Sequence, residues 1–281
     1  MIDVSIIIIN HNTFKLTCNC IQSVIRKTEG INYEIILVDN ASSDVNPDLF
    51  KERFPFINLI KSKINSGFAK GNNLGINHAQ GEYILLLNSD TELFNNAIKI
   101  TYDKIKLEPT IGVISAKLIS PDGKVQNSCQ RFPSIKYETI ELLRLHKLFS
   151  RKKQGELLLG AFFSHTYETE PDWVWGTFFM FRRTILNKFP ETKLTETFFM
   201  YMEDVEWCYI IRQNGFKIVY YPEAVVIHHG GGSAFLNSKA KKDEQMYKNE
   251  IKFMKLYYGY FRCTMGILIK KINAFIYSTL H

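Results

Sequence analysis

Three acidic residues in one short segment are the strongest candidates for proton-transfer chemistry. Glu203, Asp204 and Glu206 fall within four residues at a predicted helix start, directly after the apolar run 198–201 and next to Trp207. An apolar wall can raise the basicity of a carboxylate enough for it to accept a hydroxyl proton. Acidic side chains at this position also complement the helix dipole. The segment therefore predicts either a general-base site or an electrostatically favoured helix start.

Polar residues also follow three predicted strands. Asn10-His11-Asn12, Asp39-Asn40 and Asn88-Ser89-Asp90 each come directly after an apolar run. A carboxylate in such a position can hold a divalent cation, with substrate phosphate oxygens completing the shell. For Asp90 the alternative is a helix cap. Three polar strand ends at one sheet edge predict a ligand site.

Glycines recur every four residues in the segment 65–75, at Gly67, Gly71 and Gly75. The spacing matches neither the P-loop nor the dinucleotide fingerprint. Glycines four apart share one helix face and allow that face to approach a sheet closely. Packing alone explains them, but the neighbouring Asn65 and Asn72 favour a ligand close to this helix.

Two histidines, His228 and His229, end a β-rich run and precede three glycines. A histidine there is either structural or a further ligand for a metal bound by Asp90. The residue types leave both interpretations open.

The elements that must position these residues alternate between strand and helix patterns. Strands are predicted at 4–9, 33–39, 58–62 and 82–87, with helices at about 14–27, 67–79 and 94–107. This order predicts a mostly parallel sheet whose ligands bind at the carboxyl ends of its strands. The second half predicts an amphipathic helix over 135–153, a strand-like run over 172–182, a helix over 203–213, and strands at 216–221 and 224–228.

Composition places the chain among ordinary globular proteins. Its 281 residues are 46% hydrophobic and 22% charged, which fits one large catalytic domain with a short appendage. The five cysteines are scattered and form no CxxC pair, which argues against structural zinc or a disulfide framework and favours a reducing compartment. Neither a signal peptide nor a spanning segment is apparent, so a cytoplasmic location is expected.

The net charge of +7 is concentrated at the C-terminus. The segment from residue 239 onward contains nine Lys and Arg residues but only three acidic ones, together with several aromatic residues. A nucleic-acid partner would require a basic stripe across the main domain, so none is expected. A basic helix with an apolar face predicts peripheral seating on an anionic bilayer, here the inner face of a bacterial plasma membrane. The alternatives are packing on the catalytic domain or on a second copy in a homodimer.

Taken in order, the motifs resemble inverting family 2 glycosyltransferases of the GT-A fold, particularly the bacterial rhamnosyltransferase-like branch. The resemblance runs from about Val4 to Ser233 and depends on VSIIIINHNT, EIILVDNASSD, NSGFAKGNNLGINHAQGEYILLLNSD, WVWGTFFMFRR, FFMYMEDVEWCYIIRQNG and IHHGGGS. It implies a Rossmann-like α/β domain with a mostly parallel sheet flanked by helices over 1–236, followed by a basic helical tail over 237–281.

The resemblance also implies roles for individual residues. Asp204 matches the catalytic base, and Glu203 would contact the acceptor. Asp90 and His228 match the ligands of Mn²⁺ or Mg²⁺, with His229 as the fallback. The first Asp of the family's metal motif is replaced by Asn88, a poor metal ligand that can still hydrogen-bond ribose. The remaining nucleotide-sugar positions are Asn10, His11, Asn12, Asp39, Asn65, Gly67, Asn72, Ser89, Trp175 and Gly176.

The implied reaction is transfer of a sugar from a nucleoside diphosphate to a saccharide acceptor, lipid-linked in cell-surface polysaccharide synthesis. Rhamnose is the favoured sugar, and a UDP-hexose is the alternative donor. A nucleotidyltransferase would need a glycine- and Arg/Lys-rich phosphate loop after the first strand, where Asn10-His11-Asn12-Thr13-Phe14 stands instead. A non-catalytic sugar-binding protein is the remaining alternative.

Overall fold

A computed structural model describes residues 1–230 and 239–280, with side chains described over 1–230 and 240–273. Its centre is an eight-stranded sheet with the order β3-β2-β1-β4-β9-β6-β10-β5. The strands are β1 Val4–Asn10, β2 Tyr33–Asn40, β3 Asn58–Ser62, β4 Tyr83–Asn88, β5 Thr91–Leu93, β6 Ile111–Ile119, β7 Cys129–Gln130, β8 Trp173–Val174, β9 Phe178–Arg182 and β10 Lys217–His228. The helices are α1 Phe14–Lys27, α2 Asp48–Arg53, α3 Gly67–Ile76, α4 Ala97–Leu107, α5 Ile135–Leu142, α6 Arg151–Leu158, α7 Glu203–Gln213, α8 Lys239–Tyr258 and α9 Tyr260–Leu280.

The sheet is mostly parallel, as predicted. β3, β2, β1 and β4 run parallel, and so do β6 and β10, whereas β9 and β5 are antiparallel to their neighbours. Strand β1 is buried on both faces because Ile6 and Ile8 pack with α1 and α4 while Ile7 packs with α3 and α7. This explains its continuous β-branched run, which suits a parallel strand covered by helices on both sides.

Several predicted elements have different bounds in the structure. The single helix predicted over 135–153 is wrong, because the segment forms α5, a 3₁₀ turn at Leu145–Leu148 and the start of α6. Arg144 adopts a left-handed backbone with φ of 52°, and Ser150 caps the new helix by accepting from the N–H of Lys153. The run over 172–182 is likewise interrupted between β8 and β9.

The two strands predicted at 216–221 and 224–228 form one strand, β10. Its pairing with β6 shifts register between Tyr221 and Val225, so the expected break is a β-bulge within a continuous strand. A bulge accommodates extra residues by bending one strand without ending it. Beyond β10 the structure describes His229 and Gly230, so Gly231 and Gly232 of the predicted glycine loop 230–232 and the domain boundary predicted at 236/237 lie outside the described residues.

The C-terminal helices pack on the sheet domain and on each other. Phe253 and Met254 of α8 are buried against Phe198, Met202 and Val205, close to the start of α7. Helix α9 lies against both α5 and α8. The tail thus packs on the catalytic domain, as one of the alternatives predicted, while several of the described α9 side chains, among them Phe261 and Leu268, stay exposed.

Candidate active site

The carboxyl ends of β1 and β2 are joined by a buried amide. Asn10 Nδ2 donates to Asp39 Oδ1 at 2.8 Å and to Ser42 Oγ at 2.8 Å. Its Oδ1 accepts from the hydroxyls of Thr13 and Thr17 at 2.9 and 2.8 Å. Asn10 is 1% exposed, so it uses its hydrogen bonds internally and fixes the position of Asp39. Its predicted role in lining a base pocket is thus indirect.

The loop after β1 is locked to the loop after β2. Asn12 has φ of 55°, and its Oδ1 accepts from the N–H groups of Ser43 and Asp44 at 2.7 and 3.2 Å. His11 Nδ1 lies 3.0 Å from the carbonyl oxygen of Asn40. A left-handed backbone is tolerated by asparagine because its short polar side chain bonds locally. The two loops consequently form one rigid rim.

Asn40, the last residue of β2, connects this rim to the start of α3. Its Nδ2 donates to Asn65 Oδ1 at 3.0 Å and to the carbonyl of Gly67 at 3.2 Å, while its Oδ1 accepts from the N–H of Ser66. Asn65 Oδ1 also accepts from the N–H of Gly67. The predicted residue Asn65 therefore shapes the turn into α3, and Asn40, predicted only as part of a polar strand end, is the residue that connects the two.

Close approach explains the glycines of α3. A Cβ on Gly75 would lie 2.6 Å from Ile7 Cγ2, and one on Gly71 would touch Ile9. Gly67 differs, because its φ is 83° and a Cβ would lie 2.4 Å from the carbonyl oxygen of Phe199. The loop before α7 thus lies directly on the α3 N-terminus.

Asn72 lies on the same helix and is almost fully buried at 1% exposure. Its Nδ2 donates to the carbonyl of Phe68 at 3.0 Å, whereas its buried Oδ1 has no protein partner. A buried acceptor without a partner is costly in a closed protein. This side chain is therefore suited to receive a donor group from a ligand.

Asp90 and His228 are far apart in the chain but close in the structure, because β5 and β10 are neighbouring strands. His228 Nε2 lies 3.5 Å from Asp90 Oδ1, and both side chains are largely buried. Gln126 accepts from His228 Nδ1 at 2.7 Å and donates to the His228 carbonyl at 2.9 Å. With Nδ1 held by Gln126, the His228 Nε2 faces Asp90, which is the orientation of a metal-ligating histidine. No sequence signal marked Gln126.

His229 points elsewhere. Its Nε2 lies 3.0 Å from Glu92 Oε1, and its backbone N–H donates to the carbonyl of Asp90 at 2.9 Å. Of the two candidate histidines, His228 is therefore the one whose ring faces the Asp90 carboxylate.

The two residues preceding Asp90 have different roles. Asn88 donates its N–H to the Thr177 carbonyl at 3.0 Å, and its buried Oδ1 has no protein partner. Ser89 Oγ lies 3.1 Å from Thr13 Oγ1 and is part of the network around Asn10. Ser89 is therefore a structural link, while the Asn88 amide oxygen remains available to a ligand.

Within the described residues no group of three or more His, Cys, Asp and Glu side chains converges to form a complete metal cage. Asp90, His228 and the unpartnered Asn88 Oδ1 nevertheless provide oxygen and nitrogen donors at one strand end. A divalent cation fits such an incomplete set when substrate phosphates supply the remaining oxygens. The residues present are compatible with the predicted Mn²⁺ or Mg²⁺.

Asp204, the predicted base, is held by two backbone amides. Its Oδ2 accepts from the N–H of Gly176 at 3.0 Å and its Oδ1 from the N–H of Val205 at 2.9 Å. Burial raises the pKa of Asp204 to about 6, although both hydrogen bonds lower it. The Trp175 ring lies 6.2 Å from that of His228, so the Trp175-Gly176 pair links the carboxylate to the Asp90 site.

Glu203 is buried at 6% exposure and its Oε2 has no hydrogen-bond partner. Burial and the neighbouring charge of Asp204 raise the pKa of Glu203 well above its ordinary range. Two adjacent carboxyl groups with raised pKa values at the start of one helix are typical of proton-transfer sites.

The backbone before these carboxyl groups is strained. Tyr201 and Met202 both have positive φ values, 70° and 78°. Helix α8 holds this turn, because Asn249 Nδ2 donates to the carbonyls of Met200 and Tyr201, each at 2.9 Å. Strained residues persist only where the surroundings fix them. Sequence reasoning missed Asn249, which lies 49 and 48 residues beyond Met200 and Tyr201 in the chain.

Residues 5–209 match the family model described as glycosyl transferase family 2. An N-acetylglucosaminyl-diphospho-decaprenol L-rhamnosyltransferase of Mycobacterium tuberculosis is 25% identical over 211 residues, covering 69% of this chain and 66% of that protein. A low-salt glycan biosynthesis hexosyltransferase, Agl10 of Haloferax volcanii, is 26% identical over 77% of this chain and 64% of its own length. The chain thus spans slightly less than two thirds of these relatives.

The fold is also similar to a solved structure, residues 1–349 of S. aureus TarS. The TM-score is 0.54 at 17% identity, covering 91% of this chain and 74% of the other. This structural similarity supports the GT-A arrangement of a mostly parallel sheet between helical layers.

Among the helices described, none is long and apolar enough to span a bilayer.

Proposed function

The chain belongs to glycosyl transferase family 2, and from this premise we propose that it transfers a sugar from a nucleoside diphosphate to a saccharide. The observation that carries the proposal is the position of Trp175-Gly176. Gly176 holds the Asp204 carboxylate by its N–H, while the Trp175 ring lies against His228. A proton acceptor and a polar, diphosphate-compatible strand end therefore flank one short segment.

In the proposed reaction Asp204 removes a proton from an acceptor hydroxyl. The resulting oxygen attacks the anomeric carbon in line with the departing nucleoside diphosphate, so the product anomer is inverted. A pKa near 6 suits Asp204 to this task, because it is ionised at neutral pH yet more basic than an exposed aspartate. A bound Mn²⁺ or Mg²⁺ would neutralise negative charge on the leaving diphosphate.

The donor side is assigned to the rim formed by the ends of β1 and β2 and the start of α3. Asp39 is held by Asn10, and Asn65 by Asn40, so the rim is rigid before a ligand arrives. We favour a rhamnosyl donor because of the name of the mycobacterial relative, with a UDP-hexose as the alternative. The same name favours a lipid-linked saccharide acceptor in cell-surface glycan synthesis.

Peripheral binding to an anionic membrane is part of this proposal. Phe261 and Leu268 of α9 are 76% and 50% exposed, and the nearby Arg262 and Lys271 are also exposed. An apolar strip bordered by basic residues fits the interface of a bilayer. Flotation with anionic vesicles at low salt tests it, and full-length chain that stays at the bottom of the gradient would exclude it.

A nucleotide-sugar panel tests the activity directly. The full-length chain is incubated with Mn²⁺ and each donor, and slow hydrolysis to the nucleoside diphosphate is measured. We expect turnover with one or a few donors that is lost in Asp90→Ala. Formation of a nucleoside triphosphate and a sugar 1-phosphate when pyrophosphate is added to the same donor would favour a nucleotidyltransferase instead. Binding without turnover, even with acceptors present, would favour a non-catalytic sugar-binding protein.

A further inference from the structure

A cavity of about 440 Å³ lies beside the first turn of α7. Met202 and Val205 line it, and these two residues flank Glu203 and Asp204 in the sequence. The other walls come from α5, the β7–β8 pair, α8 and Lys270 of α9. The volume lies in the range of about 300–1,000 Å³ that is usual for small-molecule sites.

The lining combines aromatic rings with hydrogen-bond acceptors. Aromatic side chains are contributed by Phe132, Tyr137, Trp173 and Tyr247. The carboxylates of Glu141 and Asp243 also face the cavity, and within the described residues neither forms an ion pair. Flat apolar rings fit the C–H faces of sugar rings, and carboxylates accept hydrogen bonds from sugar hydroxyls.

The charge of the lining identifies which part of a substrate can enter. The cavity has four carboxylates, Glu138, Glu141, Asp243 and Glu250, and two cations, Arg131 and Lys270. Lys270 is bonded to both Glu138 and Glu250, and Arg131 lies 3.4 Å from Asp172. Because neither of the two cations among the described lining residues is left to receive an anion, the cavity disfavours a diphosphate and favours a neutral saccharide.

The cavity crosses the boundary of the family match. Met202 and Val205 lie within residues 5–209, whereas Asp243, Tyr247 and Lys270 lie beyond them. One wall therefore belongs to the part shared with the family, and the opposite wall is a feature of this chain's own C-terminal helices.

We propose that this cavity binds the neutral saccharide end of the acceptor and that α8 determines which saccharide is accepted. The proposal rests on the glycosyltransferase function proposed above. It places the acceptor next to the turn that carries Asp204 and keeps anionic groups, from the donor or from a lipid carrier, outside the cavity.

The experiment separates the two proposals by using two ligands. Binding of UDP and dTDP with Mn²⁺ to the full-length chain is measured first, by calorimetry. With nucleotide present, short neutral oligosaccharides and their sugar 1-phosphates are then titrated. Tyr247→Ala and Glu141→Gln change the cavity at exposed positions, and the Tm of each variant is measured to confirm that it is folded. Tyr260→Ala, at an exposed tyrosine outside the cavity, is the matched control.

We expect at least one neutral oligosaccharide to bind more tightly than its 1-phosphate. Tyr247→Ala should weaken this binding about tenfold, as expected for loss of an aromatic contact. Glu141→Gln should weaken it less, and Tyr260→Ala should leave it unchanged. Equal binding by all variants would overturn the cavity assignment. Nucleotide binding without any saccharide binding would overturn it while the proposed function stands, and absence of both would overturn both.

Discussion

The proposed donor rim and the turn before α7 are both built from polar groups, but they are held in place differently. At the rim, Asn10 and Asn40 use their amides in hydrogen bonds that join neighbouring strand ends. At the turn, Glu203 has a buried oxygen without a partner, and the preceding Tyr201 and Met202 have strained backbones. The rim is held by hydrogen bonds among its own residues, whereas the turn is held by hydrogen bonds from α8.

The contrast matches the two tasks proposed for these regions, recognition of a nucleoside at the rim and acceptance of a proton at the turn. A rim that recognises a nucleoside benefits from rigid, satisfied hydrogen bonds, because less ordering is needed on binding. A base needs a raised pKa, which requires desolvation and therefore a locally unfavourable environment. Helix α8 supplies the support through Asn249 and through the burial of Phe253 against Met202 and Val205. The following experiments test this division.

Removal of the metal by a chelator should cause the largest loss of activity, and it tests the donor side alone. We expect activity to fall to background in EDTA and to return with Mn²⁺ or Mg²⁺, since diphosphate departure needs positive charge nearby. Asp90→Ala should weaken nucleoside-diphosphate binding only when metal is present, measured by thermal shift. Full activity in chelator would remove the metal from the proposed reaction.

Asp204→Asn should lower turnover by about 10²–10⁴, the usual contribution of a positioned proton acceptor. Donor binding should be unchanged because the rim is not touched. The variant keeps only one of the two backbone hydrogen bonds to this side chain, because an amide has a single acceptor oxygen. Ionisation of Asp204 costs stability between about pH 4, where an unfolded aspartate ionises, and about pH 6, so the Tm of the wild-type chain should fall across this window relative to that of the variant. Wild-type turnover with the true acceptor would exclude Asp204 as the base.

Asn249→Ala tests whether α8 positions the turn. Loss of two hydrogen bonds to a strained backbone should let the turn relax, and displacement of a catalytic group by about 1 Å can cost about 10² in rate. Gln245→Ala is the matched control, because Gln245 bonds only the Asn249 side chain among the contacts described for it.

A general loss of structure would also lower activity, so the readout for Asn249→Ala is the pH profile. If the turn opens to solvent, the pKa of Asp204 should fall towards its ordinary value, and the acid limb of kcat/KM should move to lower pH. An unchanged limb with lower kcat would contradict a positioning role.

The smallest expected effect is the fall in kcat/KM of the wild-type chain at acidic pH. The base works only when deprotonated, so kcat/KM should be constant above about pH 7 and fall about tenfold at one unit below a pKa of 6. Nucleoside-diphosphate affinity, measured over the same range, should not follow this limb. A midpoint near 4 would mean that Asp204 is solvated in the working enzyme.

Much of the sheet domain could be predicted from local patterns. The strands at 4–9, 33–39, 58–62 and 82–87 and the helix at 203–213 are all present, because their hydrophobic periodicity directly reports burial on one or two faces. The helix predicted at 135–153 failed because Arg144 turns left-handed without a glycine or proline to mark it. The residue types around Arg144 therefore do not mark this turn.

The sequence by itself determined which chemical groups are available: polar residues after parallel strands, three acidic residues at a helix start, and glycines that allow α3 to approach the sheet. Only the tertiary structure decided which of them meet. The His228 ring, and not that of His229, lies next to the Asp90 carboxylate, because Gln126 orients it. Asn249 of α8 likewise bonds the turn before α7. These contacts join residues up to 138 positions apart, and local sequence patterns carry no information about such distances in the chain.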